Sequence, residues 1–221
     1  MTNIQGQIVR EEKETGRIEA FSDGVFAIAI TLLVLDINVP HIHSIPANAS
    51  LVSMLIGQWP VYVAYLISFL TILIIWTNHH RLFNYIKRTD DLFLFINGMV
   101  LLFVTFVPFP TALLSEYIRS QYSHIAAAIY SGTYLAVAVV FNILWRYAAY
   151  TKKLLSRDVD KCFVDNISKQ YMFGPPFYFM AFILSFVYPP ASVAMCFVLA
   201  LFFAFTGKIS RLTCEIEKPD N

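Results

Sequence analysis

Charge is scarce in this chain. Lys, Arg, Asp and Glu together make up 14% of its 221 residues, against roughly 25% in an average soluble domain. Cysteine is scarce as well. The three cysteines stand at 162, 196 and 214; no CxxC spacing occurs, so neither a zinc site nor a disulfide framework is expected. The net charge of +1 gives no electrostatic case for nucleic acid, and nothing in the sequence points to a soluble protein partner or a cofactor.

What is present is apolar length. Hydrophobic residues make up 57% of the chain, with 20 Phe and 12 Tyr. Six apolar runs can be drawn, roughly Ile18–Ile37, Val52–Trp76, Leu92–Leu114, Ile125–Trp145, Met172–Tyr188 and Ala191–Phe205. Each is near the ~20 residues that cross about 30 Å of hydrocarbon, the last two being shortest. A spanning segment must satisfy its own backbone polar groups, which predicts helices. The runs are too long and continuous for barrel strands. The expected fold is therefore an all-α integral membrane protein of six transmembrane helices. The Pro-Pro pairs at 175–176 and 189–190 suit helix starts and a tight hairpin between spans five and six.

The basic residues give an orientation. Arg10, Lys13 and Arg17 precede the first span; Arg81, Lys87 and Arg88 follow the second. Arg146, Lys152, Lys153, Arg157, Lys161 and Lys169 lie between the fourth and fifth, and Lys208, Arg211 and Lys218 follow the sixth. That puts 15 of the 16 basic residues on one side, with Arg119 alone on the other. The positive-inside rule then predicts that both termini are cytoplasmic, and the even span count agrees. Residues 1–16 are mixed in charge, unlike a cleavable signal peptide. The expected organisation is a cytoplasmic segment at 1–16, a transmembrane domain at 17–207 and a cytoplasmic tail at 208–221.

The first span carries the most specific pattern. Arg17-Ile-Glu-Ala-Phe-Ser-Asp23 runs directly into Gly-Val-Phe-Ala-Ile-Ala-Ile-Thr-Leu-Leu-Val-Leu, placing ionisable groups at the mouth of an otherwise apolar helix. Such groups are expensive in a bilayer, so pairing or function is expected of them. At about 100° per residue, Arg17, Gly24, Ile28, Thr31 and Leu35 share one stripe, with Leu32 beside it. Two readings of the stripe are open. It faces lipid or packs against other helices, or identical copies meet around a symmetry axis and line a pore.

The Arg17-x-x-x-Phe21-Ser22-Asp23 pattern resembles the signature of the transmembrane protein 175 family, the endolysosomal potassium channels of animals and their bacterial and archaeal relatives. The likeness is specific over residues 17–35. It is supported by Trp76-Thr-Asn-His-His-Arg-Leu-Phe83 and extends to the chain as a single six-span layout, where the animal proteins carry two. The resemblance implies a homotetramer in the lipid bilayer with the first helix lining a potassium-selective pore. It implies a hydrophobic constriction at Ile28, further pore positions at Thr31, Leu32 and Leu35, and no re-entrant filter loop. In agreement, no Thr-Val-Gly-Tyr-Gly stretch occurs. A ring of isoleucines could close by dewetting.

Arg17 and Asp23 lie six residues apart on different faces, which argues for partners on another helix. Trp76, Asn78, His79 and His80 are at the same level and are the expected partners. An anchor network holding the first helix is one reading of Arg17, Ser22 and Asp23; direct ion coordination is the other. No resident metal is expected, although Thr31 could hold a transient potassium ion. Its alternative is to bond its own helix four residues back. The adjacency of His79 and His80 suits no metal motif. His41 and His43 fall in an outer loop, as solvated groups or pH sensors. Asp36 either concentrates cations at the outer mouth or marks the membrane boundary. Asn97, Thr105, Asn142 and Ser185 are expected to bond between helices, and Glu116 and Arg119 to be solvated.

Two rival functions are weaker. A secondary transporter needs ionisable or unwound elements near the midplane, and the central turns of the spans hold no charge. An enzyme needs a convergent reactive constellation; only residues 76–81 offer one, weakly.

Overall fold

A computed structural model describes the backbone of residues 2–40, 50–151, 154–156 and 159–216, and side chains between residues 15 and 205. His41 and His43 lie outside the described residues. The described chain is almost wholly helical: α1 (Thr2–Leu32), α2 (Leu51–Gly57), α3 (Trp59–Phe83), α4 (Asp91–Phe106), α5 (Pro108–Tyr117), α6 (Ser123–Tyr150), α7 (Lys161–Ser185) and α8 (Pro189–Ile216). Among the described residues, four segments, Thr15–Asp36, Trp59–Phe83, Asp91–Tyr117 and Ser123–Tyr150, are long and apolar enough to cross a membrane. α7 and α8 hold the predicted fifth and sixth runs but have less apolar length. α8 contributes Pro189–Phe205, and the first turns of α7 carry Lys161, Asp165, Lys169 and Gln170.

Several boundaries differ from the sequence expectation, each for a local reason. α1 starts at Thr2, so Arg17 lies inside the helix rather than at its mouth; the strong helix formers Glu11, Glu12, Lys13 and Glu14 carry it outward. The second run divides at Gln58, where Trp59-Pro60 opens α3 and proline suits a first turn. Residues 51–57 form the separate α2, capped by Ser50. The third run breaks at Val107, ahead of Pro108 and Pro110. Pro189-Pro190 begins α8 as expected.

Pro175-Pro176 corrects the expectation of a helix start, because both lie within α7. A proline there removes the N–H that would reach the carbonyl four residues back, which for Pro175 is Tyr171. Asn142 of α6 supplies the missing donor, its Nδ2 reaching the Tyr171 carbonyl at 2.7 Å. Membrane helices tolerate proline when a neighbour satisfies the freed group in this way. Gly174 allows close packing at the same place: a Cβ there would meet the Phe203 ring of α8 at 3.2 Å.

α6 sits centrally, packed against α4, α5, α7 and α8, whereas α1 packs chiefly on α3 and α4. The core holds Trp145, Tyr130, Tyr134, Phe26, Phe93 and Ile72. Trp145 donates to Ser168 at 2.9 Å. Asp90 caps α4 through Phe93 N at 2.8 Å and accepts from the Tyr147 hydroxyl at 2.6 Å. Three basic regions gather at this end of the bundle. Residues 84–88 pair with 154–156 through Lys87 N to Leu154 O and Ser156 N to Tyr85 O, both 2.9 Å. Thr15 Oγ1 reaches the Lys87 carbonyl at 3.2 Å. At the opposite end Arg119 lies over the Trp59 ring, 4.7 Å from its centroid.

Cys196 is a free, buried thiol. Cys162 is disulfide-bonded, against the expectation from cysteine spacing.

Candidate functional site

α1 has two contrasting faces. Ser22, Phe26, Ala29 and Leu33 are buried against the bundle. Arg17, Ala20, Phe21, Gly24, Ala27, Ile28, Thr31, Leu32 and Leu35 are exposed. The predicted stripe lies entirely on the second face. Ile28 is 58% exposed and Leu35 70%, and a Cβ at Gly24 would meet nothing within 4 Å. Thr31 Oγ1 donates to its own helix, at the Ile28 carbonyl three residues back, at 2.9 Å. Its oxygen lone pairs remain available as acceptors.

The inner face is held by a directional hydrogen-bond chain across three helices. His79 Nε2 meets Asn97 Oδ1 at 2.8 Å. Asn97 Nδ2 donates to Ser22 Oγ at 3.0 Å, and Ser22 Oγ donates to the Ile18 carbonyl at 2.9 Å. An amide oxygen only accepts, so His79 carries its proton on Nε2. Phe26 and Phe83 flank the His79 ring at 5.2 and 4.7 Å between centroids. His79, Asn97 and Ser22 are all buried. Polar groups so placed are costly unless paired, which gives this joint between α1, α3 and α4 a defined register.

On either side of this chain along the helices, Asp23 Oδ1 accepts from Trp76 Nε1 at 2.8 Å, further from the basic end, and Glu19 Oε1 meets His80 Nδ1 at 2.9 Å, nearer to it. Of the motif residues, Ser22 and Asp23 thus meet the α3 segment or its partner Asn97. Phe21 and Arg17 do not; both are exposed on the outer face. Asn78 is also not brought to α1, because its amide bonds the Ile74 carbonyl at 3.0 Å and it accepts from Arg81 at 3.4 Å. Sequence reasoning missed Glu19 and the central position of Asn97. The spacing of Glu19 and Asp23, one turn apart opposite Trp76 and His80, was the available signal.

The other polar positions divide. Asn142 bonds between helices, as expected, whereas Thr105 and Ser185 donate to carbonyls of their own helices, Leu102 at 2.9 Å and Phe182 at 2.6 Å. A hydroxyl reaches its own preceding turn at no cost in helix geometry, which the sequence expectation undervalued. Asp36 closes the helical turn Leu33–Asp36. A cavity of about 60 Å³ lies between α3, α6, α7 and α8, lined by Ile74, Val137, Phe141 and Phe203 among others. No α1 residue lines it, so it is not an extension of the α1 stripe.

Residues 17–108 match the model of the family described as endosomal/lysosomal potassium channel TMEM175. A protein of Chamaesiphon minutus, named a potassium channel, is 56% identical over 88% of this chain and 95% of its own length. A crystal structure described as a lysosomal potassium-selective channel TMEM175 homolog from that organism aligns with a TM-score of 0.80. It is 52% identical and covers 88% of this chain and 98% of that one. The chicken TMEM175, named an endosomal/lysosomal proton channel, is 33% identical over 89% of this chain but only 38% of its own length. The apolar helices and these relatives define a multi-pass membrane cation channel, not an enzyme. The chain belongs to the TMEM175 family.

Proposed function

We propose that the chain is the subunit of a potassium-selective channel in the cell membrane, formed by four copies with their α1 helices around a common axis. In this reading α7 and α8 are the fifth and sixth spans, and both termini are cytoplasmic. The clustering of residues 15, 84–88 and 154–156 at one end of the bundle supports that orientation, since it collects the basic regions on one side. The observation that carries the proposal is the outer face of α1. Beyond Arg17 it is apolar except for Thr31, interrupted by small residues and exposed in the single subunit, while the inner face is fixed by buried hydrogen bonds. Ala20, Gly24 and Ala27 allow close approach of neighbouring helices.

Ile28 forms the constriction, with Thr31, Leu32 and Leu35 above it. Four isoleucine side chains exclude water when closed, and the apolar ring then blocks a hydrated ion without any charged gate. No carboxylate lies between Asp23 and Asp36, so the narrow part offers Thr31 oxygens and water to a permeant potassium ion. The inner-face network keeps each α1 in register so that the ring is symmetric. Current through a planar bilayer holding the purified chain, with potassium on one side and sodium on the other, tests the proposal. A reversal potential favouring potassium at channel-like turnover is expected; a slow, saturable flux would instead indicate a transporter. Relatives named proton channels make a pH gradient at constant potassium the necessary companion measurement. Current that follows the proton gradient alone would overturn potassium as the permeant ion.

A further inference from the structure

One group of side chains at the anchored end of α1 has ligand chemistry that conduction does not use. Glu19 and Asp23 stand four residues apart on α1, and Trp76 and His80 four apart on α3, so each pair shares a helix face. The pairs face one another: Glu19 Oε1 meets His80 Nδ1 at 2.9 Å, and Asp23 Oδ1 accepts from Trp76 at 2.8 Å. Ligand atoms of Glu19, Asp23 and His80 all lie within 4.8 Å of one another. We propose that these three side chains form a binding site for a borderline divalent cation of the zinc class, and that the bound ion fastens α1 to α3.

The donor set selects the ion. An imidazole nitrogen with two carboxylate oxygens suits zinc and its first-row neighbours, which bind through three protein groups and keep a fourth position for water. Calcium and magnesium prefer oxygen alone. Metal–ligand bonds near 2.0–2.2 Å need donor atoms roughly 3–3.5 Å apart, so closing the group from its present spread is a side-chain adjustment.

Trp76 orients two of the ligands. Its indole holds one oxygen of Asp23 and leaves the other free, and its ring stacks on His80 at 5.7 Å and 23°. Outer partners of this kind fix ligand geometry at metal sites. Access is open, because the His80 side chain is 49% exposed and that of Glu19 24%. Two carboxylates at i and i+4 also repel one another, and a dication removes that repulsion. Of the guanidinium groups nearest in sequence, Arg17 stands on the exposed face of α1 and Arg81 donates to Asn78 Oδ1 at 3.4 Å.

Binding can be read without current. The full chain in detergent, stripped of metal, is titrated with zinc, magnesium or calcium while its melting temperature is followed. Zinc raises the melting temperature of the wild type; magnesium and calcium do not. Glu19→Gln and His80→Asn each weaken zinc binding by at least about 10-fold, with metal-free melting temperatures close to wild type. Glu19→His puts a nitrogen ligand in place of the carboxylate oxygen and retains the zinc shift, which separates lost ligation from misfolding. Equal zinc affinity in the wild type, Glu19→Gln and His80→Asn overturns the site, as does the absence of any zinc-dependent shift in the wild type.

A second arm rests on the reading of α1 as the pore helix. Zinc applied to the membrane face bearing His80 reduces wild-type current several-fold and leaves His80→Asn current unchanged by zinc. Zinc binding that leaves a conducting wild-type channel unaffected overturns the fastening of α1. Zinc binding by a chain that passes no cation current counts against the conduction reading alone and leaves the site standing.

Discussion

The first and the fourth of the strongly apolar segments make an instructive pair. The most apolar 18 residues of Thr15–Asp36 have a mean hydropathy of 2.0 with 22% of them buried, and those of Ser123–Tyr150 have 1.7 with 50% buried. The more apolar helix is the less covered one. Inside a bilayer apolarity alone does not drive a helix to the centre, because lipid tails are as apolar as leucine. What centres α6 is shape and polar pairing: Ala126, Ala127 and Ser131 allow close approach, and Trp145 and Asn142 bond α7. What ties α1 is a single polar seam along one face. Its other face is left for lipid or for further copies of the chain.

That contrast can be broken experimentally at several strengths. The largest effect is expected in α6. Trp145→Ala removes a fully buried ring and the bond to Ser168, and should destabilise the subunit by about 3–5 kcal/mol. A melting temperature near wild type would show that α6 is not the organising helix. Next comes the seam of α1. Asn97→Leu strands His79 and Ser22 in the interior and should cost about 1–3 kcal/mol, read as a lower melting temperature in detergent. An unchanged value would mean that α1 is held by something other than this chain of hydrogen bonds. Asn142→Ala exposes the consequence of Pro175 and should cost about 1–2 kcal/mol by leaving the Tyr171 carbonyl without its donor. If stability is unaffected, α7 satisfies its proline break in another way. The smallest effect is expected on the outer face, where Arg17→Ala should change subunit stability by no more than about 0.5 kcal/mol. A larger loss would show that Arg17 has a partner, and a shift from larger to smaller assemblies would locate it in another copy.

Much of the contrast was legible in sequence. The period of Gly24, Ile28, Thr31 and Leu35 gave the outer stripe, because small and apolar residues at helical spacing carry that signal directly. The Asp23–Trp76 contact could be anticipated from topology, since both belong to the same end of adjacent spans. The rest depended on pairings that leave no local trace. Asn97 carries no local sign that it joins Ser22 to His79, and Pro175 reads as a helix start because the donor that replaces its missing N–H, Asn142, lies on another helix. Glu19 occupies a variable position of the motif, one turn from Asp23, so the motif itself does not mark it. The cost of a charge in the bilayer predicts a partner for Arg17 on another helix, whereas in the single subunit Arg17 is exposed, where charge costs little.

The central claim is that the outer face of α1 is the ion path, and matched isoleucines test it most directly. Ile28 on α1 is 58% exposed and Ile143 on α6 is 47% exposed. The measurement is the potassium-to-sodium permeability ratio and unitary conductance of Ile28→Asn and Ile143→Asn beside the wild type in one bilayer preparation. A polar side chain at the constriction removes the dewetting barrier, so Ile28→Asn should lower the permeability ratio and raise conductance while Ile143→Asn leaves both at wild-type values. Wild-type selectivity and conductance in Ile28→Asn would contradict the account.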